Sequence, residues 1–254
     1  MELNASDLLV SFTLASDKKV LRRESALIAN FERDELKQHV APTAHPKQNN
    51  IPGLFWMSQL NQMIWYSSRL EMFALKQIDF DQQIKAILPK PFELTFKFEG
   101  ERLHHTPRYL IWLSDGKRLL LNVRSKATLN SKSAQTAKLA CCALCEDLGW
   151  QYIAMTNPDP IFLANLNWLA GYRRKPPNFQ TFAIEIVSQI DNKIKIKELL
   201  SSIINPTIAR PTLFHLMWMR ILKFDMNQLL NNDTEVWIGE KSKQFSIKKY
   251  HNEK

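Results

Sequence analysis

Met63-Ile64-Trp65-Tyr66-Ser67-Ser68-Arg69-Leu70-Glu71 opens the stretch on which the fold turns, and Leu121-Asn122-Val123-Arg124 closes it. Between them stand Asp79-Phe80-Asp81, the alternating Phe92-Glu93-Leu94-Thr95-Phe96-Lys97-Phe98, His105-Thr106-Pro107-Arg108-Tyr109-Leu110-Ile111 and the turn Asp115-Gly116. The first segment reads as a helix start carrying one acid, with Asp79-Phe80-Asp81 as the helix end. Phe92, Leu94, Phe96 and Phe98 alternate with polar residues, as in a half-buried strand. Asp-Gly between two apolar runs is a strong hairpin signal, which makes 109–113 and 119–123 paired strands.

Working outward, apolar residues at helical spacing predict one amphipathic helix over 56–78. The alanine-rich 131–148 predicts a helix ending at Gly149, since glycine tolerates the left-handed conformation there. A strand over 151–155 and a helix over 161–169 follow. Helix, three strands, helix, strand, helix makes an α/β domain ending near Tyr172. Upstream, residues 1–45 read as an N-terminal helical arm, with a helix over 20–40, and the proline-bearing 41–52 reads as a loop. Downstream, Arg173-Arg174-Lys175-Pro176-Pro177 marks a boundary. Beyond it, helices over 194–204 and 212–224, a short one over 226–231 and a strand over 235–238 suit a small winged-helix-like module or a helical cap. The division expected is 1–45, 46–172 and 176–254.

The chain has 254 residues, 45% hydrophobic and 23% charged, as in a folded globular protein. No apolar run approaches the roughly 18 residues of a membrane-spanning helix. The N-terminus lacks the basic-then-apolar order of a signal peptide, so a cytoplasmic location without a membrane partner is expected. Cys141, Cys142 and Cys145 fall in one predicted helix and read as packed thiols, because no second ligand pair follows at zinc-site spacing. The net charge of +9 points to a polyanionic partner. Arg173-Arg174-Lys175 and the lysines of 241–249, including Lys243 and Lys248, are its densest blocks.

Nucleases built on mixed sheets hold Mg²⁺ with carboxylates, because hard cations prefer oxygen ligands and the metal activates the attacking water. Such a template takes one acid from the helix before the sheet and one from a hairpin strand start. A further acid or amide stands two positions before a lysine on the partner strand. Glu71, the Pro107-Arg108 start and Asn122-Val123-Arg124 fit that spacing.

On these pieces, residues 54–172 resemble the endonuclease subunit of heteromeric cut-and-paste transposases, the TnsA-like proteins. Members read V-x-Y-E-S-x-L-E, F-D-P, T-P-D-F, a D-G hairpin and V-E-V-K. This chain offers 64–71, Phe80-Asp81, Thr106-Pro107-Arg108-Tyr109, Asp115-Gly116 and 121–124. The resemblance implies a PD-(D/E)xK restriction-endonuclease-like α/β fold with a mixed sheet flanked by helices, and a winged-helix-like C-terminal domain over 176–254. It also implies DNA, at a transposon end or a target, together with a DDE transposase subunit and an AAA+ regulator as partners.

The carry-over of catalytic residues is poor. Glu71 matches the helix glutamate. Arg108 stands where the metal-binding aspartate is expected, Asn122 replaces the acidic or glutamine residue, and Arg124 replaces the lysine. Arginine has no acceptor and stays charged. At 4 Å and an effective dielectric of about 20, repulsion costs roughly 4 kcal/mol per unit charge, and about twice that against Mg²⁺. A DNA-binding subunit that does not cut is therefore expected, with no cofactor; Mg²⁺ enters only if the nuclease is active.

Glu71 then needs a new partner, and a salt bridge to Arg108 or Arg124 is expected. Arg102, Arg108, Lys117, Arg118, Arg124, Lys126 and Lys132 are the candidate phosphate contacts around the old cleft. Two rivals remain: an active endonuclease with ligands rearranged among Glu93, Glu101, His104, His105 and Asp115, and a DNA-binding regulator outside transposition.

Overall fold

The chain forms a mixed α/β structure, described by a computed structural model for residues 3, 7–16, 20–40, 51–81 and 83–239, and for residues 20–27 by the backbone alone. The basic block 241–249 and most of the 41–52 loop lie outside the described residues. Two compact units divide the chain, Met1–Asn157 and Pro158–Lys254. Among the described residues no helix is long and apolar enough to cross a membrane.

The N-terminal unit begins with β1 (Leu9–Leu14) and β2 (Val20–Glu24), followed by short 3₁₀ turns and β3 (Leu36–Lys37). Among the described residues the expected helical arm is thus strands and short 3₁₀ turns, with no α-helix over 20–40. Leu8, Val10 and Phe12 are fully buried, and β1 pairs antiparallel with the alternating strand 92–98, so burial of this face overrides the charge-dense local pattern.

The expected helix over 56–78 is likewise two different elements. β4 (Gly53–Met57) and β5 (Gln62–Tyr66) form a hairpin, and α1 (Arg69–Asp81) starts only after it. Both faces of the hairpin carry large apolar residues, which hides its two-residue period. Asn61 turns it with φ of +50°, and the buried Asp79 carboxylate accepts hydrogen bonds from the Ser58 and Gln59 amides and the Ser58 hydroxyl.

After α1 come β6 (Ile84–Pro89), β7 (Phe92–Phe98), β8 (Glu101–His105), β9 (Tyr109–Leu113), β10 (Arg118–Val123), α2 (Lys132–Leu148) and β11 (Gln151–Met155). The alternating strand β7 does not join the β9–β10 hairpin; it pairs with β1 and β8. β6, with its sparse Ile-Lys-Ala-Ile-Leu-Pro pattern, takes the place beside β9. The central sheet runs β11-β10-β9-β6, antiparallel except for the parallel β10–β11 pair.

Alternation through β9 and β10 sends side chains to two cores, as a sheet covered on both faces requires. Tyr109, Ile111, Leu119, Leu121 and Val123 meet Ala74, Leu75 and Ile78 of α1. Leu110, Trp112 and Leu120 meet Ala140, Cys141, Leu144 and Cys145 of α2, with Phe12, Phe92 and Leu94. The three cysteines are free thiols on α2, as expected, with Cys141 and Cys145 buried. Ser131 caps α2 by accepting from the Ala134 amide, and Gly149 ends it at φ +64°.

In the C-terminal unit, α3 (Pro160–Ala170), α4 (Phe179–Ser188), β12 (Ile194–Lys195), α5 (Ile196–Ser201), α6 (Pro206–Trp218), β13 (Leu222–Lys223) and β14 (Glu235–Ile238) follow in order. Three corrections arise here. α3 belongs with this unit rather than the preceding one, because the Asn165 amide bridges the Met226 and Gln228 carbonyls and the Leu230 amide, while Trp168 packs edge-on against Phe214. α4 was not legible as a helix. Finally, α6 spans 206–218 instead of 212–224, and the chain then turns into β13, which pairs with β14.

Candidate anion-binding cleft

Glu71 lies in the first turn of α1, and its main-chain amide donates to the Ser68 hydroxyl at 3.2 Å. Ser-x-x-Glu at a helix start is a capping-box pattern. Here the glutamate reaches one residue further back and accepts from the Ser67 amide and hydroxyl, each at 2.7 Å. Arg108 Nε sits 3.3 Å from the same carboxylate, and the Tyr109 hydroxyl donates to it at 3.4 Å. A carboxylate offers about four acceptor positions; the Ser67 amide and hydroxyl fill two, and Arg108 and the Tyr109 hydroxyl, which also reaches the Trp65 carbonyl at 3.2 Å, stand at the others.

The expected salt bridge therefore forms with Arg108, not Arg124. Glu71 is almost fully buried while Arg108 is about one-third exposed, so the pair joins a buried anion to a cation that fronts solvent. Burial and the neighbouring Glu71 carboxylate hold the Tyr109 hydroxyl well above its usual range, which keeps it a proton donor.

In front of this pair opens a cleft of about 490 Å³, lined by Ser67, Ser68, Arg69, Glu71, Arg108, Val123, Arg124, Ser125 and Thr128 among others. Three arginines and one paired glutamate leave it positive. Lys90 adds to the field: its amide donates to the Arg108 carbonyl at 2.8 Å and its ammonium lies 4.6 Å from the centre of the Trp65 ring. Burial, then repulsion from Arg108, lowers its pKa, against the pull of Glu71. Neither Arg69 nor Lys90 was found from the sequence. The Ser-x-x-Glu cap could have flagged Arg69 as the first helical residue, whereas only the fold brings Lys90 near.

Of the other expected site residues, Asn122 faces away. It sits on the α2 side of β10, where its carbonyl oxygen lies 3.2 Å from His105 Nε2 and its amide nitrogen donates to Cys141 Sγ and the Tyr152 hydroxyl. Alternation along β10 puts it on the opposite face from Leu121 and Val123, so it cannot share a metal with Glu71. Arg124 lies just past the strand and borders both this side and the cleft. Lys126 is exposed, with its amide donating to Asn157.

Lys117 and Arg118 stand at the far end of β10, roughly 20 Å from Arg124 at about 3.3 Å per residue. Lys117 pairs with Asp115, which also accepts from the Lys117 amide and so serves the turn. Arg118 is mostly buried; it donates to the Ala29 carbonyl at 2.8 Å, contacts Glu32, and lies over the Trp112 and Trp150 rings. These contacts tie it into the fold at the opposite end of β10 from the cleft. Arg102 is exposed on β8, and Lys132 pairs with Glu99.

His104 and His105, read as a surface loop pair, belong to β8. His104 meets Glu93 at 3.1 Å, while His105 turns inward, where burial pushes its pKa down to about 4. Among the described residues no group of three His, Cys, Asp or Glu side chains is placed to hold a metal ion. No family model and no curated protein matches this chain.

Proposed function

We propose that the N-terminal unit is a restriction-endonuclease-like domain that holds the DNA backbone without cutting it, within a TnsA-like subunit of a transposition system. The Glu71–Arg108 pair carries this reading. Where a nuclease of this layout needs a second carboxylate, Arg108 supplies a cation, and the remaining carboxylate is saturated by its own neighbours. Arg69, Arg108 and Arg124 then face a cleft suited to phosphate oxygens, with α1 presenting its N-terminus.

The central sheet β11-β10-β9-β6, preceded by α1 and with α2 between β10 and the parallel β11, supports the restriction-endonuclease-like reading, with β7 and β8 inserted between β6 and β9 into a second sheet. In the second unit the order α4–β12–α5–α6–β13–β14, with sheet order β12-β14-β13, supports a winged-helix-like module. A DDE transposase and an AAA+ regulator are the partners this reading implies, and the cytoplasm its location.

The test is an electrophoretic shift of duplex DNA with and without EDTA, run beside a cleavage assay in Mg²⁺ or Mn²⁺. A shift unchanged by EDTA and no nicking is expected. Divalent-dependent nicking lost in Glu71→Ala would establish the rival reading, an active endonuclease.

A further inference from the structure

Behind Arg124 lies a second cavity, of about 260 Å³, between β8 and the first turns of α2. Its apolar lining comes from Phe96, Phe98, Leu103 and Ala137, and its polar lining includes His105 and Thr136. Arg124 belongs to the linings of both this cavity and the arginine cleft. The two are close in charge as well as in chain, since His105 feels both Arg124 and Arg108.

The chemistry of the lining is specific. Asn122 donates from its amide nitrogen to Cys141 and Tyr152, so its carbonyl oxygen is the acceptor for His105 Nε2. Nε2 therefore carries the proton toward Asn122, and burial disfavours the charged ring. The cavity thus combines two phenylalanines, the His105 ring and the bordering Arg124, with Glu101, His104 and Lys132 also on its lining. Its volume is below the roughly 300–1,000 Å³ of drug-sized sites, which suits one flat ring system rather than a whole nucleoside.

We propose that this cavity receives a single unpaired nucleobase belonging to the strand whose phosphate lies against Arg124 in the cleft. The inference rests on the backbone-binding reading above. Phosphate and base of one nucleotide are separated by a sugar, and Arg124 is the side chain common to the two places where they would lie. Aromatic side chains take bases of any sequence, because every base has a π-face. The cavity therefore selects for an unstacked base, as at a nick, flap or overhang, instead of a particular letter.

The experiment measures fluorescence anisotropy of the 254-residue chain with a blunt duplex and with the same duplex carrying a short overhang that contains 2-aminopurine. Binding should favour the overhang on the order of tenfold, with altered 2-aminopurine emission. Ala137→Leu, which fills the cavity, should bring that ratio near one while leaving blunt-duplex affinity unchanged. Phe98→Leu, at a half-buried position, should reduce the ratio in the same direction and serves if Ala137→Leu does not fold. Equal affinity for the two DNAs, or a preference that survives both substitutions, overturns the base pocket and leaves backbone binding standing. Binding to neither DNA defeats the backbone reading and the pocket with it.

Discussion

Arg108 Nε lies 3.3 Å from Glu71 in a pair whose anion is almost fully buried and whose cation is one-third exposed. The asymmetry matters. Glu71 is committed to the fold through Ser67 and Tyr109, while most of the arginine's five N–H groups remain to meet a ligand. Arg108→Ala should lower duplex affinity roughly tenfold and reduce the slope of log K against log salt by about 1. A salt titration of binding checks this, and an unchanged slope would remove Arg108 from the contact.

Glu71 should report in stability more than in binding. Glu71→Ala leaves the Ser67 amide and hydroxyl and the Arg108 guanidinium without their acceptor, while the Tyr109 hydroxyl keeps the Trp65 carbonyl at 3.2 Å. Such losses cost roughly 2–4 kcal/mol together, discounted here because Arg108 reaches solvent. Denaturant unfolding of the variant should show that drop with an unchanged m value, and a difference below about 1 kcal/mol would contradict the saturated-carboxylate account.

Arg118 separates a clamp from a contact. It ties β10 to the Ala29–Glu32 region between two tryptophan rings. Arg118→Ala should therefore destabilise the N-terminal unit by roughly 1–3 kcal/mol. DNA affinity measured below the unfolding transition should stay at the parent value. The reverse pattern would return Arg118 to the DNA surface.

His105 sets an acid limit. Burial disfavours the charged ring and pushes its pKa down from the ordinary imidazole value of 6.5 to about 4. The unfolded chain consequently binds more protons between these values, so stability is full above about pH 6.5 and is lost as pH falls toward about 4, by roughly 3 kcal/mol in all. His39 and His215 are lowered by burial too and act with the same sign. An NMR titration of the His105 ring should give a midpoint near 4, and His105→Gln should flatten the acid limb of the stability profile.

In the sequence, elements with strong local punctuation were legible. The Asp115-Gly116 hairpin, the Ser131 cap and Gly149 stop of α2, and the strand over 151–155 each carry their own turn or cap chemistry. β4 and β5 were not, because Leu54, Phe55, Trp56 and Met57 put apolar groups on both faces and imitate a helix. β1 and β6 were missed since pairing with distant partners, rather than local pattern, makes them strands. The site divides the same way. Glu71 and Arg108 could be paired from their motif positions, yet Arg69, Lys90 and Tyr109 meet them through packing across α1, β6 and β9. Asn122 misled because a motif gives spacing along a strand but not which face the strand turns toward α1.

The main-chain amide of Arg124 donates to the Met155 carbonyl at 2.9 Å, the last rung between β10 and its parallel neighbour. Its backbone is anchored while the residue lines two cavities. If both spaces are filled as proposed, an occupant that draws Arg124 to one side weakens its hold on the other, and the linkage is reciprocal. On the base-pocket proposal, the pose of this one arginine would register whether a strand is intact or frayed.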